Sequence, residues 1–245
     1  MNLWPFGGKT DTIRESGMLD GITDWHSHIL PGVDDGFKNI EDSLKALDEF
    51  EKLGVKELWL TPHVMEDVPN ETSVLREKFE ELNLAYNGGI KLHLASENML
   101  DALFEDRLEA NDFLPLGEDG NHLLVETSYY NPPMNMNRML ERIKSKGYYP
   151  VLAHPERYQY MDEKDYRHLK ELGVLFQANY FSLIGAYGQT AQRKLEWLLK
   201  QGLIDMIGSD LHSLRALNNF VEKAPRAARH IEAMKTVCAK SKKLQ

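Results

Sequence analysis

Ile22-Thr23-Asp24-Trp25-His26-Ser27-His28 is the stretch on which the reading of this chain turns. It reads as a short strand that runs into a His-x-His pair, followed closely by Asp34-Asp35-Gly36. Two imidazoles two residues apart on an extended backbone point to the same side. Both can then reach one metal ion, for which neutral imidazole is a common ligand. With nine histidines in 245 residues, chance supplies such a pair about one time in three, so the pair needs support elsewhere in the chain.

Outward from this stretch, strands and helices alternate. The first strand is expected over 22–25 and a helix over 40–53, with Asn39 as N-cap and Ile40, Leu44, Leu47 and Phe50 as its apolar stripe. Further strands are expected over 55–60, 90–96, 122–126, 149–153, 174–178 and 203–208. Helices are expected over 72–86, 100–109, 136–146, 163–172 and 189–201, with a final Ala-rich helical region over 217–239. Seven strands alternating with helices through short loops describe a βα-repeating α/β fold with a parallel sheet. No Gly/Ser/Pro-rich linker divides the chain, so a single domain is expected. The strands are short and mostly followed by polar residues, which fits a closed or nearly closed barrel better than an open sheet.

On this map the ligand-type side chains collect at one end of the strands. His26 and His28 end the first, with Asp35 in the loop after it. His63 ends the second, Glu97 the third, Glu126 the fourth and His154 the fifth, while Asp210 and His212 follow the seventh. In βα barrels the active site is built from residues at those strand ends. Five histidines and four carboxylates with no cysteine suit a hard or borderline divalent cation. Without metal, so many like charges would repel. A surface position at a loop start is an adequate account of any one of the nine, but a poor account of all nine together.

The other four histidines read differently. His168 and His230 are expected on solvated helix faces, His122 at the opposite end of its strand, and His93, which shares strand parity with Glu97, as a satisfied core residue or else as a support behind the ligands. Tyr129, Tyr130, Met134, Tyr158, Tyr160, Tyr180 and Phe181 follow strand ends and are candidates for a rim that either holds a peptide or merely caps the fold. The single cysteine, Cys238, lies in Cys-Ala-Lys-Ser-Lys-Lys-Leu, without a phosphate-cradling loop or a following arginine, which excludes a cysteine-based phosphatase.

The bulk composition is that of an ordinary soluble protein, 42% hydrophobic and 27% charged, with net charge −9. That balance argues against nucleic acid as a partner. One cysteine excludes disulfide scaffolding within the chain and suits a reducing compartment. No apolar run reaches the length of a membrane span. The start, Met1-Asn2-Leu3-Trp4-Pro5-Phe6-Gly7-Gly8-Lys9, lacks the basic opening and apolar core of a secretory signal, so a cytoplasmic protein is expected. Leu3, Trp4 and Phe6 are expected to dock on the domain, with contact to a partner or a membrane surface as the alternative.

Taken in order, Asp24-x-His26-Ser27-His28, Val33-Asp34-Asp35-Gly36, Thr61-Pro62-His63, Ser96-Glu97, Val125-Glu126, Ala153-His154-Pro155-Glu156-Arg157-Tyr158 and Gly208-Ser209-Asp210-x-His212 resemble the motif series of the PHP (polymerase and histidinol phosphatase) superfamily. They are most similar to its capsular-polysaccharide protein-tyrosine phosphatases of the CpsB/CapC/YwqE type, from about residue 20 to about residue 215. The resemblance implies a distorted (β/α)7 TIM-like barrel at residues 21–245, with residues 1–20 as an N-terminal extension. It implies three divalent ions, manganese first and iron or zinc next, held by His26, His28, Asp35, His63, Glu97, Glu126, His154, Asp210 and His212. It implies Arg157 near the substrate phosphate, with Arg215 as the nearest candidate for a second family arginine. His63 is a candidate for proton transfer as well as for metal binding. The implied substrate is a phosphotyrosine protein, the tyrosine-rich tail of a bacterial autokinase that controls capsule or exopolysaccharide synthesis. Such a kinase would recruit the enzyme to the inner face of the membrane.

Three rival readings stand beside this one. A related phosphoesterase would act on a small molecule such as histidinol phosphate, or on nucleic acid, which the acidic balance disfavours. A deacetylase or amidohydrolase also uses His-x-His, but fits the later motifs less well. A regulator without catalysis would only dock a tyrosine kinase, against which the full ligand set argues.

Overall fold

Nine short strands run through the middle of the computed structural model, which describes residues 11–241. They are β1 (Thr23–Ser27), β2 (Glu57–Leu60), β3 (His63–Val64), β4 (Lys91–Leu94), β5 (Glu97–Met99), β6 (His122–Glu126), β7 (Tyr149–Ala153), β8 (Leu175–Asn179) and β9 (Met206–Gly208). Around them lie α1 (Ile13–Ser16), α2 (Ile40–Lys52), α3 (Thr72–Ala85), α4 (Ala102–Ala110), α5 (Met136–Ser145), α6 (Glu163–Glu171), α7 (Gly188–Gln201), α8 (Leu214–Val221) and α9 (Ala228–Ser241). Every strand pair is parallel, which long crossover helices make possible. The result is a single-domain α/β fold with two parallel sheets, β1-β2-β4 and β3-β5-β6-β7-β8-β9.

The sheets are joined through the backbone. β2 and β3 are two pieces of one run broken at Thr61-Pro62, where proline has no N–H to donate. β4 and β5 are likewise interrupted at Ala95-Ser96, because the Ser96 N–H donates to Leu114 instead. Hydrogen bonds from Ala95 N to Leu60 O (2.9 Å) and from Glu97 N to Pro62 O (3.1 Å) span both breaks. At the other edge Asp210 N donates to His26 O (2.8 Å) and His28 N to Leu211 O (3.1 Å), so β1 meets the segment after β9. The strand expected over 90–96 therefore continues through Glu97 to Met99.

Alternation along the strands sorts the core into two layers. One face of each strand, with Leu58, Leu123, Val125, Leu152, Phe176 and Ile207, packs under the helices. The other face, with Trp59, Ala95, Leu124, Val151 and Met206, builds a smaller apolar cluster with Trp25. Burial on both faces is why these strands read as apolar runs rather than as alternating ones. The smaller cluster lies directly beneath the ligand-type residues, since Ala95 precedes Glu97 by two positions and Leu124 precedes Glu126 by two. Trp25 and Trp59 stack at 5.7 Å, and Trp25 Nε1 donates to Ser241 Oγ (3.2 Å) at the end of α9. Trp25→Phe is expected to cost roughly 1–2 kcal/mol through lost volume and that hydrogen bond. Urea unfolding of the metal-stripped protein measures it, and a change under 0.3 kcal/mol would be about the scatter of a neutral surface substitution.

Local signals explain the helix starts. Asn39 Oδ1 accepts from Asp42 N (2.9 Å) to cap α2, as expected, and Asp101, Asp162 and Ser213 cap α4, α6 and α8. The C-terminal region expected as one helical stretch is two helices. Pro225 lies between α8 and α9, lacks a donor and disfavours helix at the residue before it.

His230 corrects a second expectation: it is buried where α9 packs on α7, with Nδ1 3.7 Å from Glu196. His168 is exposed, His122 opens β6 beside Tyr149, and His93 stacks on Trp59 (4.4 Å) while pairing with Glu57 (2.9 Å). Ile13, Met18 and Leu19 belong to the core, and Ile13 N donates to Lys223 O (2.8 Å). Leu3, Trp4 and Phe6 lie outside the described residues. Among the described residues no helix is long and apolar enough to cross a membrane.

Candidate metal centre

The nine ligand-type side chains meet at the C-terminal end of the strands. Glu97 is at their middle. Its Oε2 lies 3.3 Å from His26 Nε2, 3.3 Å from His28 Nε2 and 3.0 Å from His63 Nδ1, while its Oε1 is 2.8 Å from His154 Nε2. Glu126 Oε1 lies 3.0 Å from the same His63 nitrogen. Asp210 Oδ1 is 3.3 Å from His28 Nε2 and 3.4 Å from His212 Nδ1. Asp35, the most exposed member, is 3.5 Å from His63 Nε2 and 3.3 Å from His212 Nε2. Three groups have donor atoms within 4.8 Å of one another: His28-Asp35-His63-His212, His26-His28-Asp210 and His63-Glu97-Glu126. They share His28 and His63. His154 joins them through Glu97.

The donor atoms suit cations better than they suit each other. Glu97 Oε2, Glu126 Oε1 and His63 Nδ1 are buried and make no hydrogen bond despite their closeness. The two Nε2 atoms of His26 and His28 face each other at 3.0 Å. His26 Nδ1 is 2.7 Å from Gln177 Oε1 and His28 Nδ1 is 2.8 Å from Asp34 Oδ2, so each ring places its proton on Nδ1. In the neutral rings both Nε2 atoms then present bare lone pairs to one another. A positive ion between them resolves the conflict, and the all-oxygen-and-imidazole set fits a borderline or hard divalent metal.

The charges of these side chains point the same way. Burial works against imidazolium at His26, His28 and His63, yet Glu97 and Asp210 raise His26, and Asp210 with Asp34 raise His28 well above the ordinary value. At His63 burial and His28 both oppose the charge, and Glu97 and Glu126 still bring it up to about 10. Burial likewise works against the carboxylates, but the imidazoles hold Glu97 and Asp210 below the usual range. Asp35 is lowered by its bond to His212. In other words, the carboxylates attract positive charge strongly enough to recruit protons where no cation is present.

Two residues of the site, His154 (φ 35°) and Asp210 (φ 54°), are held in the left-handed region that non-glycine residues rarely adopt. Each strained turn aims a side chain back over the strand ends. Glycines make room where loops cross β1. A Cβ on Gly36 would overlap the His28 carbonyl oxygen, and one on Gly208 would lie 2.5 Å from His26 Cβ. The Asp-Asp-Gly and Gly-Ser-Asp motifs thus contain glycine because the backbone passes against the histidine strand.

Arg157 stands beside the cluster. Its Nη1 donates to Asp210 Oδ2 (2.5 Å), and its guanidinium lies between the rings of Tyr129 (4.3 Å) and Tyr187 (4.2 Å). With Asp35, His63, Phe181, Asp210 and His212 these residues line a cleft of about 530 Å³. Arg215 is exposed and lines a separate, smaller cleft with Lys38 and Ser213, which meets the first at His212.

Several partners of the cluster lie outside the nine ligand-type residues. Asp34, buried, accepts from His28 and from His63 N (3.1 Å), and its own motif could have flagged it. Gln177 and Asn179 are buried polar residues two apart on β8, the strand that supplies neither histidine nor carboxylate. Their signal is polar alternation between Phe176 and Ala178. Tyr187, in the loop before α7, carries no sequence signal for its place on Arg157.

Comparison with known proteins agrees with this geometry. A family model described as capsular polysaccharide synthesis, CpsB/CapC, matches residues 22–239. The tyrosine-protein phosphatase YwqE of Bacillus subtilis (strain 168) is 30% identical over 209 residues, covering 83% of this chain and 82% of that protein. The tyrosine-protein phosphatase CpsB of Streptococcus pneumoniae is 28% identical over 222 residues, covering 83% and 88%. Among solved structures, one from the crystallographic description of YwqE and CpsB as unique metal-dependent tyrosine phosphatases superposes with a TM-score of 0.76. It covers 91% of this chain and 94% of that one at 24% identity, which shows a shared fold. The family resemblance drawn from the ordered motifs is borne out: the chain belongs to the CpsB/CapC family of capsular polysaccharide synthesis proteins.

Proposed function

We propose that this protein is a metal-dependent protein-tyrosine phosphatase that removes phosphate from a tyrosine kinase of capsule or exopolysaccharide synthesis. The observation that carries the reading is a centre of converging, unpaired donor atoms beside an arginine held in an aromatic cleft. Support for the substrate comes from the related YwqE and CpsB, both named tyrosine-protein phosphatases. His26, His28, Asp35, His63, Glu97, Glu126, His154, Asp210 and His212 would hold the cations. The three donor groups favour three ions; nitrogen and oxygen donors suit manganese, iron or zinc, and the family resemblance puts manganese first. When bound, the ions supply Lewis acidity, which makes hydroxide available near neutral pH and draws charge from phosphoryl oxygens.

The chain's own residues do the rest. Tyr129, Tyr187 and Phe181 offer apolar faces to the phenyl ring and exclude water from it. Arg157 is preorganised by its two ring contacts to bind nonbridging oxygens through paired N–H donors, where charge builds in the transition state. The leaving phenolate has a free pKa of about 10, so it demands little of a general acid. His63, partly exposed at the cleft wall, is the candidate to pass it a proton, from the ring nitrogen that holds no cation.

The strand circuit is read as a distorted (β/α)7 barrel. Joining β2 to β3 and β4 to β5 leaves seven strands in chain order, and the bonds between β1 and the segment after β9 support closure. Residues 21–245 are taken as the phosphatase domain and 1–20 as its extension. A cytoplasmic location at the inner membrane face follows from a kinase substrate.

The test is hydrolysis of a phosphotyrosine peptide by the protein as purified, after chelation, and after return of Mn²⁺, with histidinol phosphate and an acylated sugar as competing substrates. Loss on chelation and recovery with Mn²⁺, with the peptide preferred, is expected. Activity indifferent to chelation, or preference for either competitor, overturns the reading.

A peptide is expected to touch more than the cleft. Tyr130 is 66% exposed and Met134 fully so, beside a groove of about 510 Å³ that includes Pro132, Pro133 and Tyr160. Tyr130→Ala is expected to raise KM for a phosphopeptide about 3–10-fold, as loss of one aromatic contact does. Equal loss on a small aryl phosphate would show that the loop merely supports the cleft.

A further inference from the structure

β8 contributes no histidine or carboxylate to the centre, yet it carries two fully buried amides on the face that looks into it. Gln177 and Asn179 are both 0% exposed. Gln177 Oε1 is 2.7 Å from His26 Nδ1, Gln177 Nε2 donates to Asn179 Oδ1 (3.1 Å), and Asn179 Nδ2 donates to Asp210 Oδ2 (2.7 Å). The direction of this chain is set at its far end. An ionised Asp210 only accepts, so Asn179 must turn its amide nitrogen to it. Asn179 then has only its oxygen for Gln177, and Gln177 has only its oxygen for His26. His26 must therefore carry its proton on Nδ1 and keep Nε2 bare, facing His28 and Glu97.

Asp210 Oδ2 also accepts from Arg157 Nη1 (2.5 Å). A guanidinium that turns toward a substrate phosphate weakens that bond. Asn179 remains, and its backbone is anchored separately, since Asn179 N donates to the buried Glu156 Oε1 (3.0 Å). The rail also runs close to β9: a Cβ on Gly208 would lie 2.9 Å from Gln177 Nε2.

We propose that Gln177 and Asn179 are positioning residues that fix His26 and Asp210 for cation binding independently of Arg157, which leaves the arginine for substrate. The inference rests on the reading of the cluster as a cation centre, and the wild-type measurement tests that reading separately.

The experiment is Mn²⁺ affinity of the metal-stripped full chain, by competition with a fluorescent chelator. Wild type that fails to compete removes the cation reading itself. With wild-type binding in hand, Gln177→Leu is expected to weaken affinity about 10–100-fold, the range for partners that orient metal-bound histidines. Gln177→Glu accepts from His26 Nδ1 but sets its second oxygen against Asn179 Oδ1, so it breaks the link to Asp210 and is also expected to bind Mn²⁺ more weakly than wild type. A Gln177→Leu or Gln177→Glu protein that binds like wild type overturns the proposal. A second pair holds if the leucine variant does not fold. Asn179→Ala is expected to weaken Mn²⁺ about tenfold, Arg157→Ala by less than about threefold, and the double variant by about the product of the two. Equal weakening by Asn179→Ala and Arg157→Ala would show that Asp210 depends on the arginine and would overturn the claimed independence.

Discussion

Glu97→Gln is expected to empty the centre and lower kcat/KM on a phosphotyrosine peptide by about 10³-fold or more, several kcal/mol of lost charge stabilisation. The change keeps the shape of the side chain and removes its charge. Glu97 is the one carboxylate within 3.3 Å of four imidazoles, and Oε2 has no hydrogen bond to lose. An amide nitrogen at either position would face a nitrogen lone pair or a cation. Metal analysis of the purified variant beside steady-state rates measures both consequences. Full metal content with rates within tenfold of wild type would remove Glu97 from the centre. The metal-free wild type should also melt at lower temperature than the loaded protein, because a ligand bound only to the folded state stabilises it.

Arg157→Ala is expected to lower kcat/KM about 10²–10³-fold while the protein keeps its metal. The separation follows from geometry: Arg157 touches Asp210 Oδ2, whereas the face of Asp210 toward the histidines is Oδ1. Arg157→Lys should recover only part of the loss. A lysine keeps the charge but lacks the planar fork that fits between Tyr129 and Tyr187 and offers two parallel donors. A lysine variant as active as wild type would reduce the role of Arg157 to that of a point charge. Rates on peptide and on aryl phosphate should fall together, unlike those of Tyr130→Ala, because the arginine acts on the phosphate common to both.

Much of the site was legible in the chain because its ligands follow a local rule. Residues at the ends of strands in a βα fold share one rim, so strand boundaries alone bring His26, His63, Glu97, Glu126, His154 and Asp210 together. The same rule explains why Arg215 was harder to place. It lies beyond the last strand at the start of α8, where helix rotation rather than strand parity decides direction, and it lines the neighbouring cleft rather than that of Arg157. His230 escaped for a similar reason. Its burial depends on α9 packing on α7, thirty residues away in sequence and unmarked by either helix's own pattern. The break of the C-terminal region at Pro225 is local, since proline has no N–H for a continuous helix and disfavours helix at the residue before it.

By itself the sequence determined the order of strands and helices, the apolar layer beneath the rim and the identity of the ligand-type residues. These rest on backbone periodicity and on side-chain chemistry, which are local. The tertiary structure alone decided the partners: Gln177 on His26, Asn179 and Arg157 on Asp210, Tyr187 on Arg157, and Glu97 at the meeting point of four histidines. Each of those contacts joins different strands or loops, from 2.5 Å for Arg157 on Asp210 to 4.2 Å for Tyr187 on Arg157. Such closeness is set by how the sheet curves and where the loops cross, and no pattern within one segment encodes it.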